Sequence, residues 1–275
     1  MILYFVFRLV FSGRVSVPAE KRKCMREKEN KMKKILTLVA LVAIATGAQA
    51  DTLTWGSSLG GGDGTTFATN NNWWSADDAG LSTHAPTAAD FVAIDDDLFT
   101  NPLATMPTVS AGGQQITQLI LGAESAGQLG VVGSGSLTVT GGAYISHLGT
   151  GTLNLSDTSY FLAGNLIFGN TGVSGVVNMT GSSILHAGVL TYLNGDVTST
   201  INMTDSAWLI INGDQSGMGY ENSRILASGA GESIAVVYNA TDLRTEYTVI
   251  PEPATLSLVA LLGGGMLWIR KRFMI

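Results

Sequence analysis

Short stretches of alternating apolar and polar residues, separated by glycine-rich turns, fill the chain between residues 51 and 250. Alternation with a period of two is typical of β-strands, and no part of this region keeps a helical period. Glycine, threonine, serine and asparagine are frequent between the apolar positions. The pattern therefore predicts an all-β region, and its length of about two hundred residues is enough to bury a core.

One alternating motif recurs at a spacing of 24 residues, with copies at 153–156, 177–180 and 201–204. The similarity continues into a second strand, in which Phe161, Leu185 and Leu209 align. A shorter copy, 137–140 followed by Tyr144, precedes the first by sixteen residues. A repeat of this length is too short for a propeller blade and is typical of one coil of a solenoid. We therefore predict a parallel β-helix of ~24-residue coils over residues 111–231.

Equivalent residues of stacked coils lie directly above one another, so the repeat predicts which side chains form ladders. The first strand should contribute two inward apolar ladders and, between them, a stack of asparagine amides that hydrogen-bond along the axis. These ladders are Leu153, Val177, Ile201; Leu155, Met179, Met203; and Asn154, Asn178, Asn202. In the second strand the residues expected to point inward are Phe161, Ala163, Leu185, Ala187, Leu209 and Ile211.

The alternate positions of the second strand should then form an outward row of Tyr144, Tyr160, Ile184 and Trp208. Aromatic side chains can stack on sugar rings, which makes Tyr144, Tyr160 and Trp208 candidate carbohydrate contacts. The alternative is that another strand or the final hairpin covers the row, because exposed aromatic patches are usually buried against something.

The segments on either side of the repeats differ from them. Residues 51–110 contain Trp55, a glycine-rich turn at 60–64, the run 70–74 and the alternating run 90–94, and we expect this aromatic-rich segment to cap the solenoid. The order of these features resembles the start of exported autotransporter-type repeat proteins, which implies a parallel β-helix. Residues 232–249 predict closing strands that form a hairpin.

A distinctive tail occupies residues 250–275. Pro251, Glu252 and Pro253 precede the uncharged run 254–269, and Arg270, Lys271 and Arg272 follow it. As a helix the run would measure roughly 24 Å, enough for one marginal transmembrane crossing. The tail resembles the PEP-CTERM sorting signal of Gram-negative bacteria. That resemblance implies that an exosortase recognises the motif and removes the tail, and it implies nothing about the rest of the chain.

The other end has the three regions of a secretory signal peptide at residues 32–50: a basic start, an apolar run and small residues. Ala48 and Ala50 fit the small-x-small cleavage rule, so the general secretion machinery should leave Asp51 as the first residue. Residues 1–31 are interpreted as upstream sequence read as protein or, alternatively, as an extended leader. Both interpretations remove them from the mature protein.

Removing both ends changes the charge. Residues 51–250 carry seventeen acidic residues and two arginines, a formal charge of −15, whereas the whole chain has −6. Such a surface repels nucleic acid, which excludes a nucleic-acid partner. The single cysteine, Cys24, lies in the leader, so no disulfide is expected in the mature chain.

Candidate chemistry is sparse. His84, His147 and His186 are far apart in sequence, which gives a zinc site no support, and no cofactor motif is found. Residues 95–97 are three aspartates that could bind calcium, although a solvated acidic turn is the simpler interpretation. Asp157 and Asp205 share one repeat position two coils apart, a separation that would admit the water of an inverting hydrolase. Turn chemistry alone also explains aspartate there.

The sequence thus predicts an exported, surface-sorted and non-enzymatic β-solenoid, transiently anchored in the membrane, that acts as a structural or adhesive element of the extracellular matrix or envelope. The expected partners are the secretion machinery, an exosortase and exopolysaccharide. The alternative function is a carbohydrate-binding or carbohydrate-cleaving β-helix that uses the aromatic row.

Overall fold

The computed structural model describes residues 50–55, 63–75, 77, 80–95, 106–169, 173–193, 196 and 198–251. The predicted signal peptide, apart from Ala50, lies outside the described residues. So does the sorting tail after Pro251, with Glu252, Pro253, Arg270, Lys271 and Arg272. No helix in the described part of the chain is long and apolar enough to cross a membrane.

The described residues form strands joined by turns, with one short 3-10 helix at Asn70–Asn72. In chain order the strands are β1 (Thr52–Trp55), β2 (Trp73–Ser75), β3 (Gly80–Leu81), β4 (Phe91–Ile94), β5 (Thr108–Val109), β6 (Gln114–Ile116), β7 (Gln118–Leu121), β8 (Gly127–Val131), β9 (Ser136–Ile145), β10 (Gly151–Leu155), β11 (Tyr160–Phe168), β12 (Gly175–Met179), β13 (Ile184–Tyr192), β14 (Thr200–Met203), β15 (Trp208–Asn212), β16 (Ile225–Ala227), β17 (Ser233–Asn239) and β18 (Arg244–Ile250).

These strands build a parallel β-solenoid of about five turns, as the repeat predicts. Each coil places one strand in a six-stranded sheet, ordered β16-β14-β12-β10-β8-β5, and the next strand in a larger sheet. The path of the larger sheet is β17-β18-β15-β13-β11-β9-β7-β4-β1-β2-β3, and β6 pairs with β9 beside it. Between the described strands, pairing is parallel along the coils and antiparallel at the two ends of the larger sheet. Consecutive parallel coils therefore expose no free edge between them.

The predicted inward ladders are confirmed. Register pairs Leu153 with Val177 and Val177 with Ile201, and all three are completely buried. The second-strand residues that the pattern places inward, from Phe161 to Ile211, are also buried. At the C-terminal end Tyr247 pairs with Leu209, so the last strand extends the same ladder. The core is thus a set of apolar columns along the solenoid axis.

The asparagine stack is confirmed as well. The Asn178 amide donates to Asn154 Oδ1 at 2.9 Å, and the Asn202 amide donates to Asn178 Oδ1 at 3.0 Å. The three side chains are half-buried on the outer face of the smaller sheet. Because each amide is both donor and acceptor, this stack ties three coils together in one direction.

The predicted alignment of the shorter copy, residues 137–140, with the first strand of the repeat is wrong. Register pairs Leu129 with Leu153, a full 24 residues apart, and pairs Leu137 with Phe161 in the larger sheet. The coil that contains β8 and β9 is therefore as long as the others. The error arose because Leu-x-Val with period two fits either strand of a coil.

Tyr144 is consequently wrong as a member of the outward aromatic row. It pairs with Ile167, while the residue aligned with Tyr160 in that coil is Ser136. A register shift between Ala163 and Asn165 separates the two halves of the long strand. Tyr144 lies beyond this bulge, where its ring meets the His147 ring edge-on at 5.8 Å.

Glycine starts three successive strands of the smaller sheet, because the backbone of a neighbouring segment lies too close for a side chain. Gly127, Gly151 and Gly175 share one register position. A Cβ on Gly175 would overlap the carbonyl oxygen of Ile145, and one on Gly127 would overlap that of Ile94. Their backbone angles lie outside the left-handed region, so space alone requires glycine here.

An aromatic cluster lies at the N-terminal end. The Trp73 ring packs edge-on against Trp55 and Phe67, each at 5.0 Å between centroids. All three side chains are buried, and Trp73 Nε1 donates to the Phe67 carbonyl at 2.8 Å. At the other end β17 and β18 form the predicted closing hairpin.

The loop before this cluster is held by one carboxylate. Asp63 Oδ1 accepts hydrogen bonds from the backbone of Thr66 and Thr65 and from the Asn72 amide, at 2.7 to 2.9 Å. Bonds from Thr66, Asn72 and Thr65 hold the pKa of Asp63 well below its usual range. A carboxyl with a lowered folded-state pKa contributes stability above its unfolded pKa and loses it as the pH falls.

We therefore expect acid to weaken this loop progressively below about pH 4, where an unfolded aspartate starts to take up its proton. In Asp63→Asn, the difference in thermal unfolding midpoint between pH 7 and pH 3 should be smaller than in the wild type. Circular dichroism melts at several pH values measure it. Identical pH profiles for the two proteins would show that Asp63 has no such role.

Candidate functional site

A shallow depression of about 310 Å³ lies where the last strand meets the solenoid. Its lining comes from the turn before β15 and from the end of β18: Asp205, Ser206, Ala207, Trp208, Thr248, Val249 and Pro251. The two segments meet because β18 pairs antiparallel with β15, which sets Trp208 opposite Thr248. The depression brings together two candidate residues of the sequence, Asp205 and Trp208, with the first residue of the sorting motif.

Trp208 forms the aromatic wall of the depression. It ends an outward row in which Tyr160, Ile184 and Trp208 are in register, and each of these side chains is half-buried. Trp208 Nε1 is buried and has no hydrogen-bond partner among the described residues. The accessible part of the side chain is therefore ring surface, which suits stacking more than polar recognition.

The final hairpin does not cover this row as the alternative interpretation expected. β18 joins the larger sheet edge-on beside β15, and β17 joins beyond it. The row is thus partly open along the sheet, and Asp205 at the rim of the depression is exposed. An open aromatic surface with a carboxylate at one side can bind a sugar or an extended peptide.

Asp157 and Asp205 have a structural task. Both have positive φ, 60° and 61°, and the aligned residues Gly133 and Gly181 have 62° and 66°. Asp157 Oδ2 accepts from the Gly133 N–H at 3.0 Å, and Asp205 Oδ2 accepts from the Gly181 N–H at the same distance. One oxygen of each carboxylate therefore ties its turn to the preceding coil, which explains aspartate here without catalysis.

His186 belongs to a polar network next to the row. Its Nε2 lies 2.9 Å from Asn212 Oδ1, and its Nδ1 lies 3.5 Å from the Tyr160 hydroxyl. Since the amide oxygen of Asn212 can only accept, Nε2 carries the hydrogen and Nδ1 accepts from Tyr160. This histidine thus lies between Tyr160 of one coil and Asn212 two coils further on.

The described part of the chain contains no group of three or more potential metal ligands. His84 lies beside Asp51 and Asp90, and His147 packs on Tyr144. Asp95 is buried and accepts bonds from the backbone of Glu124 and Ser125, so it is not a solvated turn residue. Asp96 and Asp97 lie outside the described residues, where the calcium hypothesis is not tested.

The sequence reasoning missed a second polar and aromatic group near the C-terminal end. The Arg224 guanidinium carbon lies 4.5 Å from the centre of the Tyr192 ring, and Arg224 also donates to the Asp196 carbonyl. Tyr192 stacks on Phe168 and contacts Tyr220. Burial raises the pKa of Tyr192, which keeps its hydroxyl neutral. The available signal was the rarity of arginine, because Arg224 is one of two cations in residues 51–250.

No protein-family model, no curated protein and no solved structure matches this chain. Its function is therefore inferred from the residues and their geometry.

Proposed function

We propose that this protein is an exported structural or adhesive scaffold that is sorted to the cell surface or extracellular matrix. The observation that carries the proposal is the position of Pro251, which is exposed and follows directly on the strand that closes the solenoid. A processing enzyme would meet the motif immediately outside a folded body, with no long linker between them.

The fold supports a scaffold role in a second way. Several of its polar side chains join neighbouring coils, as in the asparagine stack and the two aspartate ties. A regular stack of this kind gives a stiff body with a constant surface. Its strongly negative charge of −15 over residues 51–250 keeps copies apart until a matrix component engages them.

The sorting part of the proposal involves the secretion machinery, an exosortase and the membrane. The basic residues Arg270, Lys271 and Arg272 would remain on the cytoplasmic side, and the solenoid would be outside. Cleavage at the Pro-Glu-Pro motif would then release the solenoid from its transient anchor.

Glu252→Ala tests this directly. The variant should keep its tail and remain in the membrane fraction, whereas the wild type should be found without its tail in the released fraction. Immunoblotting of fractionated cells measures the location of the protein, and mass spectrometry of the C-terminus shows whether the tail is present. Glu124→Ala, which changes an exposed acidic residue of a solenoid turn, is the matched control and should sort normally. Normal release of Glu252→Ala would defeat the proposal.

A second candidate function is carbohydrate binding, which the shared depression of Trp208 and Asp205 favours. Retention of the wild type on immobilised polysaccharides, lost in Trp208→Ala but kept in Tyr144→Ala, would support it. An assay for reducing ends separates binding from cleavage. If the wild type releases reducing ends from a polysaccharide and Asp157→Asn does not, the protein is a hydrolase and the scaffold proposal is wrong.

A further inference from the structure

A buried carboxylate lies at the point where the predicted mature chain begins. The Asp51 backbone nitrogen donates to Asp90 Oδ1 at 3.0 Å, and both residues are buried. Ala50, the residue before the predicted cleavage position, is exposed. Hydrolysis of the Ala50–Asp51 amide adds one water, leaves a carboxylate on Ala50 and converts this same nitrogen into an α-ammonium group.

We propose that Asp90 is a binding site for the α-ammonium group that signal cleavage creates on Asp51, and that the resulting ion pair fixes the N-terminal cap only in the processed protein. The inference rests on the export step of the proposed function. It adds a structural role for the new N-terminus, which the sorting signals do not require.

The carboxylate is built to receive a cation. Asp90 is completely buried, and its second oxygen Oδ2 is held by the Thr87 N–H at 2.7 Å and the Thr87 hydroxyl at 2.8 Å. These bonds orient Oδ1 toward Asp51. A buried carboxylate is costly unless a positive group and hydrogen bonds compensate it.

Within the described part of the chain, no lysine or arginine forms an ion pair with Asp90. Among the described residues the ionic contact of Asp90 is with His84, whose Nδ1 lies 3.7 Å from Oδ2. His84 Nε2 also lies 3.9 Å from Asp51 Oδ2. One histidine thus faces two carboxylates, so a further positive charge would balance the site.

A second acceptor is available for the additional N–H groups of the Asp51 ammonium. Asp51 Oδ1 is buried and finds no hydrogen-bond partner among the described residues. An ammonium group has three N–H donors where the amide has one, so it can serve Asp90 and this second acceptor together. Cleavage also gives this bond a second charged partner, so the attraction of an ion pair is added to the hydrogen bond that the amide makes.

The Asp51–Asp90 pair lies where the first strand joins the solenoid. Asp51 and Asp90 directly precede β1 and β4, and Phe91 N–H donates to the Asp51 carbonyl at 2.9 Å. β1 carries Trp55 of the aromatic cluster. An ion pair here therefore pins the first strand to the solenoid at the end where the chain would otherwise fray.

The test compares three proteins in the same detergent: residues 51–275 with a free Asp51 amine, residues 51–275 with an acetylated Asp51 amine, and residues 50–275, which start at Ala50. A tag protease that leaves no added residue produces them without export. The free-amine protein should unfold about 2–4 °C above the other two. This gain should disappear in Asp90→Asn and should fade at alkaline pH, as the amine loses its proton.

A second measurement does not require the variant to fold. The α-amine of the native protein should react with an acetylating reagent at least ten times more slowly than that of a short peptide with the same first residues. Equal unfolding midpoints for the three versions, a gain that persists in Asp90→Asn, or a fully reactive amine would each overturn the inference. Failure of the export proposal is recognised separately, as protein that stays inside the cell with the residues before Asp51 still attached.

Discussion

Gly175→Ala should destabilise the protein by at least about 3 kcal/mol, because a methyl group at this position has nowhere to go. The added carbon would overlap the Ile145 carbonyl oxygen and would also lie 2.8 Å from the Phe168 ring. Neither neighbour can move easily: the first belongs to the last residue of β9, which pairs with Leu121, and the second is completely buried in the core. The coils around β12 would have to separate, which breaks ladder hydrogen bonds on both sides.

Urea unfolding followed by circular dichroism measures this loss. Gly217→Ala is the matched control, since a Cβ there meets nothing within 4 Å and Gly217 has no positive φ. Its effect should stay within about 0.5 kcal/mol of zero. Similar losses in the two variants would show that glycine at the start of β12 is not required by space.

Phe161→Ala should cost about 3–5 kcal/mol, the range for removal of a fully buried aromatic side chain. Phe161 is completely buried in the middle coil, between Leu137 of the preceding coil and Leu185 of the next. The columns on both sides are held by parallel backbone pairing, so they cannot collapse into the space. A cavity should therefore remain, which places the cost near the upper part of that range.

The control removes the same side chain from the surface. Phe91 lies on β4 and is 38% exposed. Phe91→Ala should cost less than about 1 kcal/mol in the same urea titration. If the two phenylalanine variants were equally stable, the inward ladder would not be the main source of stability that the burial pattern indicates.

The sequence predicted the repeating part of the fold well, for a physical reason. In a solenoid the period of two predicts which residues point inward, and the period of 24 predicts which residues stack in neighbouring coils. Two independent patterns therefore predict the location of each residue. Leu153, Val177 and Ile201 satisfy both periods and are completely buried. The coil of β8 was missed because Gly130 occupies the place of the stacked asparagine, and an outward position is not constrained by the core.

The candidate site was predictable only in part. Trp208 and Asp205 were found from the repeat, but their meeting with Pro251 depends on the direction of β18, which the hairpin pattern leaves open. The pairing of Asp51 with Asp90 was equally hidden, since 39 residues separate the two. Contacts of this kind arise from closure of the ends, where the repeat no longer applies.

The alternation of glycine and aspartate at one turn limits how the protein can change in length. Each aspartate, at 157 and 205, binds the N–H of the glycine one coil before it, at 133 and 181. The smallest segment that can be duplicated or deleted without disturbing this order is therefore two coils, such as the 48 residues 133–180. Gain or loss of a single coil would place either two aspartates or two glycines in adjacent turns, and the first of two such glycines would have no aspartate to bind its N–H. Relatives of different length should therefore differ by pairs of coils.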